Sequence, residues 1–154
     1  MRKRKIISTV FLSSVLLSAC GSQYNNEDEK LETYSLELEK AVDYYAVKSN
    51  VIRSEDEINT RMFAQLEPYV DAFKSDINTD ELSNDSKVFY EDALRGIKDI
   101  DGAIEASKDN VGNAVESYYS NMFDDDDTVM LIRRHYNPGR LDTEKPQPIE
   151  EFTE

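Results

Sequence analysis

The sequence predicts an all-α fold: an antiparallel helical bundle or a coiled-coil hairpin, made of two long bent helices or of three helices, with a flexible C-terminal tail. Three observations carry this reading. Apolar residues recur every seven positions in two stretches, Leu31, Leu38, Tyr45 and Ile52 in the first and Tyr90, Ile97, Ile104, Val111 and Tyr118 in the second, which is the spacing of one helix face. Glu, Lys and Leu, good helix formers, dominate between the apolar positions of the first. The turn-rich run 76–87 lies between the stretches and sets the point of reversal.

The chain opens with a basic cluster, Arg2-Lys3-Arg4-Lys5, followed by the apolar run Ile6 to Ala19. A positive start, a short apolar centre and a small-residue end are the parts of a secretory signal peptide. The run is too short for a bilayer core, which needs about 20 apolar residues, and its serines and threonine dilute it further. Leu17-Ser18-Ala19-Cys20, with Gly21 after it, resembles the lipobox of bacterial lipoproteins. The resemblance covers residues 1–21. It implies cleavage between Ala19 and Cys20, acylation of the Cys20 thiol with palmitate-type chains, and a new N-terminus at Cys20. Two or three acyl chains anchor firmly, whereas one alone holds only marginally. The expected location is therefore the extracytoplasmic face of a Gram-positive cell membrane.

The whole chain carries 18 basic and 32 acidic residues, a net charge of −14. Without residues 1–20 it keeps 14 basic residues against the same 32 acids, a net charge of −18. That balance argues against nucleic acid and anionic membrane surfaces as partners, since both recruit Lys and Arg. Cys20 is the one cysteine, so no disulfide is expected and stability must come from packing. The organisation expected is a signal peptide over 1–19, a lipidated tether over 20–27, a helical domain over 28–123, and an acidic breaker, short apolar segment and disordered tail over 124–154.

The tether, residues 21–27, is polar and reaches about 25 Å at full extension. From Glu27 the helical period begins, with Asp28 and Glu29 in the first turn, where the helix dipole favours acids. Ser54-Glu55-Asp56-Glu57 reads as a capping box that starts a second helix on Ile58, Met62, Phe63, Leu66, Tyr69, Val70 and Phe73. Pro68 predicts a kink there, or a break after Leu66. The heptad phase runs unbroken through 38, 45, 52, 59, 66 and 73, so one long bent helix over 28–77 is the alternative.

Residues 76–87 read as an interhelical turn with side-chain caps. Asp76, Asn78 and Asp80 resemble the start of a calcium loop, but Glu81 stands where that loop needs Gly and Lys87 where it needs Glu; no metal is expected. The next helix is expected from about Asp85 to Phe123. Gly96, Gly102 and Gly112 each cost roughly 1 kcal/mol relative to Ala, and would be kept for close packing or bending. Folding the two stripes together about residue 81–82 sets Tyr45 near Tyr118, Ile52 near Val111, Leu66 near Ile97 and Phe73 near Tyr90. The strings around Tyr44-Tyr45 and Tyr118-Tyr119 then lie side by side, a packing cluster or an interaction surface. Asp124 to Asp127 oppose the dipole and should end the helix as a solvated breaker. Val129 to Ile132 form a short apolar piece that either packs back on the bundle, which is the expectation, or docks on a partner. Beyond Asn137-Pro138-Gly139 the chain is polar and expected to be disordered.

Catalytic chemistry has little to stand on. His135 is the one histidine, and there is no zinc ligand set, phosphate loop or nucleophile elbow. No cofactor is expected. The expectation is a non-catalytic, lipid-anchored protein that touches another protein at the cell envelope. Two further readings stand beside it. One is a precursor whose leader releases a peptide pheromone from Phe11 to Ala19. The other is an accessory lipoprotein of an envelope or transport complex.

Overall fold

A computed structural model describes residues 26–49, 60–136 and 145–148. The lipobox with Ala19 and Cys20, the heptad residues Ile52 and Asn59, Ile58 and the capping box 54–57 lie outside the described residues, as do 137–144 and 149–154. Among the described residues the fold is all-helical. The elements are α1 (Glu27–Ser49), a 3₁₀ helix (Thr60–Leu66), α2 (Glu67–Ser75), α3 (Asn84–Gly96), α4 (Lys98–Lys108), α5 (Gly112–Asn121) and α6 (Thr128–Tyr136).

α1 is the central element. The Glu29 N–H donates to Asn26 Oδ1 at 2.9 Å, which caps its first turn. Leu31, Leu38, Ala41 and Val42 are fully buried, packed among the 3₁₀ helix, α2, α3 and α6. One continuous helix over 28–77 is ruled out. The stretch from Thr60 to Leu66 winds as 3₁₀, and α2 folds back onto α1, which a single rod could not do. The proline falls where the expected break lies: Pro68 sits in the first turn of α2, where its missing N–H has no helical partner to lose.

The acids at the start of α1 do more than complement the dipole. Glu27 Oε1 accepts the Asn78 N–H at 2.6 Å and Asp28 Oδ1 accepts the Ser83 N–H at 2.9 Å. Lys30 reaches the Asp76 carbonyl. The 76–83 turn is thereby tied to the start of α1, and Asn78 Oδ1 accepts the Asp80 N–H within that turn. Ser83 then caps α3 through Ser86. Phe73 meets Tyr90 across this reversal, as expected, with ring centroids 5.3 Å apart. The Tyr90 hydroxyl donates to the Phe73 carbonyl at 2.8 Å, and burial pushes its pKa up to about 12.

The single helix expected from Asp85 to Phe123 is three helices. The second interruption is a helix-ending motif. Asn110 adopts φ 59°, the left-handed conformation that Asn tolerates after Gly. The Val111 N–H returns to the Ala106 carbonyl at 2.8 Å and the Asn110 N–H to Ser107 at 3.1 Å, the two bonds of a Schellman end. The stripe fails with it: Ile97 and Ile104 are buried, but Val111 is 47% and Tyr118 37% exposed. The first interruption, at Ile97, follows from a chain crossing. A Cβ on Gly96 would lie 2.6 Å from both Asp126 O and Thr128 N, so the backbone before α6 passes directly over Gly96. The Thr128 hydroxyl donates to the Ala93 carbonyl at 2.7 Å. That carbonyl is the one an uninterrupted helix would pair with the Ile97 N–H.

α6 packs back on α3 and α1, as expected, through Val129 and Ile132. Residues 145–148, placed in the disordered tail by sequence, return to α1 and α2. The Gln147 N–H donates to Glu37 Oε2 at 2.9 Å, the Tyr69 hydroxyl donates to the Gln147 carbonyl at 2.9 Å, and Pro146 is buried.

Burial, not hydrophobicity alone, sets what each side chain contributes. Ile100 is fully buried and Val88 is 61% exposed. Ile100→Ala is expected to lower unfolding stability by about 2–5 kcal/mol, and Val88→Ala by about 0.5 kcal/mol or less. Urea denaturation of both variants checks the ordering; equal losses would contradict this packing.

Candidate functional site

Two clusters of charge stand out among the described residues, one where α6 meets α1 and one in the loop that leads into α6. The first grows from a polar stripe on α1. Ser35, Glu39 and Asp43 follow one another at intervals of four and are 0%, 2% and 6% exposed. Arg133 on α6 answers the two acids. Its Nε donates to Glu39 Oε1 at 2.7 Å, and a terminal nitrogen donates to both Asp43 oxygens at 2.8 and 2.9 Å. The guanidinium also lies 5.2 Å from the Phe123 ring centroid, a favourable cation–aromatic contact. Burial pushes the Glu39 carboxyl up, against the pull of Arg133. Burial alone would lower Arg133, but its bonds and charges with Glu39 and Asp43 outweigh that and hold it above its ordinary value. Ser35 uses its hydroxyl on the Leu31 carbonyl at 2.7 Å. Tyr136, the next residue on the inner face of α6, is raised by burial and interacts with Ser35.

The second cluster is the acidic run 124–127. It ends α5 as expected, but it is not wholly solvated: Asp127 is only 3% exposed. Its Oδ1 accepts the Val129 N–H at 3.1 Å, in the manner of a helix cap. Its Oδ2 meets no hydrogen-bond partner among the described residues. Burial pushes its pKa up to about 7; the Val129 bond opposes this, Asp99 and Asp124 add to it, and Lys98 opposes it more weakly. Asp127 forms part of the wall of a solvent-open cavity of about 580 Å³ between the end of α3, the start of α4 and this loop. Asp92 in that wall pairs with Arg95, and Asp125 with Arg134.

The tyrosines singled out by the sequence differ in burial and neighbours. Tyr44 and Tyr45 touch each other, ring centroids 5.1 Å apart, and Tyr45 is buried. Tyr119 packs against Phe63 and Phe123 at 5.8 and 5.1 Å. Tyr118 covers Gly102, where a Cβ would lie 2.5 Å from the ring, and is the most exposed of the four. His135 stacks on Phe89 with centroids 4.3 Å apart. Among the described residues no three His, Cys, Asp or Glu side chains are placed to share a metal ion, and no helix is long and apolar enough to cross a membrane.

Glu39, Asp43, Arg133 and Asp127 escaped the sequence reading. A signal for the first three was present. Val129, Ile132, Arg133 and Tyr136 follow the i, i+3, i+4, i+7 spacing of one helix face, so an arginine stands on the inner stripe of α6 and requires a buried acid. Comparison with known proteins returns no match among family models, curated proteins or solved structures.

The elevated pKa of Asp127 has a definite sign. Between about pH 4 and 7 the native state holds a proton that the unfolded chain has released, so stability falls as pH rises through that window and levels off above it. Asp127→Asn keeps a cap acceptor and removes the charge. It is expected to be more stable than the parent at pH 8 by about 2–4 kcal/mol, with the gap closing towards pH 4. Urea denaturation across this range checks it; a pH-independent gap would mean that Asp127 is ionised throughout.

Proposed function

We propose that this chain is a lipid-anchored extracytoplasmic protein that acts by contact with another protein at the cell envelope and carries out no catalysis. The observation that carries the reading is the Leu17-Ser18-Ala19-Cys20-Gly21 signature at the end of a basic-then-apolar leader. The described helices are compatible with it. α1 is capped at Asn26, a few residues after Cys20, so the anchor would hold the end of the bundle made by the start of α1 and the 76–83 turn near the bilayer. The net charge of −18 beyond residue 20 would keep the body off an anionic leaflet and favour a basic partner surface. Of the four tyrosines singled out by the sequence, Tyr118 is the most accessible and is the one we assign to a contact surface.

Cys20→Ala is expected to abolish incorporation of labelled palmitate and to release the protein from the membrane fraction or leave it as an uncleaved precursor. Membrane association and mature-length migration in that variant would contradict the anchor. Crosslinking on intact cells through a photoreactive residue at position 118 is expected to capture a protein partner. Absence of any crosslink above that seen from buried position 45 would contradict Tyr118 as a contact.

A further inference from the structure

We infer that the seam between α1 and α2 is a binding site for an extended Pro-X-Pro segment of a partner protein, and that residues 145–148 of this chain occupy it until such a segment displaces them. The occupant in place defines what the seam accepts. Pro146 is buried, whereas Lys145, Gln147 and Pro148 are exposed. Gln147 is held at both of its backbone polar groups. Its N–H donates to Glu37 Oε2 on α1 at 2.9 Å, and its carbonyl accepts the Tyr69 hydroxyl of α2 at 2.9 Å. Contacts of this kind select a buried proline followed by any residue that keeps an N–H. The flanking prolines lower the cost of binding. Pro146 has a fixed φ, and Pro148 restricts Gln147 to extended conformations, so little freedom is left to lose. Proline-rich peptides are recognised in general on this basis.

The segment is seated as a bound peptide would be, on side chains 110 and 78 residues away in sequence. The Glu37 bond lies at the surface and the Tyr69 bond is only partly buried, so exchange of one peptide for another does not require the core to open. Glu37 divides its two oxygens. Oε1 stands 3.7 Å from Lys40 Nζ, and Oε2 is left to accept the backbone N–H in a charge-assisted bond. The chain carries a net charge of −18 beyond residue 20, which repels a second copy and favours a segment from a basic protein. Residues 145–148 compete from the same chain at an effective concentration on the order of millimolar, and so hold the seam closed to weak ligands. The site is separate from Tyr118 on α5 and independent of the anchor, so its failure would leave the contact reading above standing.

The test measures binding of a fluorescent peptide of residues 143–150 to the full chain. Gln147→Pro in the full chain removes the N–H that Glu37 accepts and frees the seam. It is expected to bind the peptide about tenfold or more tightly than the parent does, because the competent fraction rises. In that background Tyr69→Phe and Glu37→Ala should each weaken binding about fivefold, the loss of one hydrogen bond, while Val88→Ala on α3 should leave it unchanged. A peptide carrying Gln147→Ala should bind like the first, and one carrying Gln147→Pro should not bind. The inference is overturned if Gln147→Pro in the full chain binds no better than the parent, if the peptide lacking the N–H binds equally well, or if Tyr69→Phe and Glu37→Ala both leave affinity unchanged. A concentration-dependent dimer of the parent that Gln147→Pro abolishes would assign the seam to a second copy of this chain, and would also overturn it.

Discussion

Two buried acids on α1 and the Arg133 guanidinium that reaches both of them set the constraint on which the rest of this fold depends. Glu39 and Asp43 lie on the central helix at 2% and 6% exposure. In an acidic chain such a stripe would ordinarily face water, because an ionised carboxylate without a partner is strongly disfavoured in the interior. Arg133 makes burial tolerable by placing one nitrogen on Glu39 and another on both oxygens of Asp43. A planar guanidinium does this with little rearrangement; a lysine ammonium could not present the same fork. The triad is as much a specification as a source of stability: α6 can settle on this face of α1 only with Arg133 directed inward.

Much of the remaining architecture follows from where α6 settles. To reach that position the chain leaving α5 crosses α3 at Gly96, the place where a side chain would collide with the backbone of Asp126 and Thr128. The crossing puts the Thr128 hydroxyl on the Ala93 carbonyl and coincides with the interruption between α3 and α4. It also carries Asp127 out of solvent. A run of four acids that looks uniform in sequence is thereby divided into three exposed residues and one buried one. The unusual protonation of Asp127 is a consequence of packing geometry.

The helical content, the reversal after α2 and the return of α6 onto the bundle were legible in the sequence, because they rest on periodicity and turn chemistry. Leu31, Leu38, Tyr90, Ile97 and Ile104 occupy the core that their spacing predicts. Beyond Ile104 the heptad misled. Lys108-Asp109-Asn110 ends a helix through a left-handed asparagine, a cue that a continuing apolar period outweighed on paper. Val111 and Tyr118 kept the phase and lost the burial. The charged interior was harder to see for a different reason. Among so many acids, those that are buried are distinguished only by a cation many residues away in sequence. The arginine on the apolar face of α6 was the available sign, and it becomes decisive only once α6 is known to lie on α1.

The central claim is that Arg133, through Glu39 and Asp43 together, holds α6 in place. A double-mutant cycle by chemical denaturation tests it most directly, with Arg133→Met measured in the parent and in the Glu39→Gln/Asp43→Asn background. Removing one side of a buried ionic cluster leaves uncompensated charge, so Arg133→Met in the parent should cost about 3–5 kcal/mol. In the neutralised background the same substitution should cost about 1 kcal/mol or less, leaving a large coupling energy. Equal costs in the two backgrounds would show that α6 is held by its apolar contacts alone, and would contradict the account.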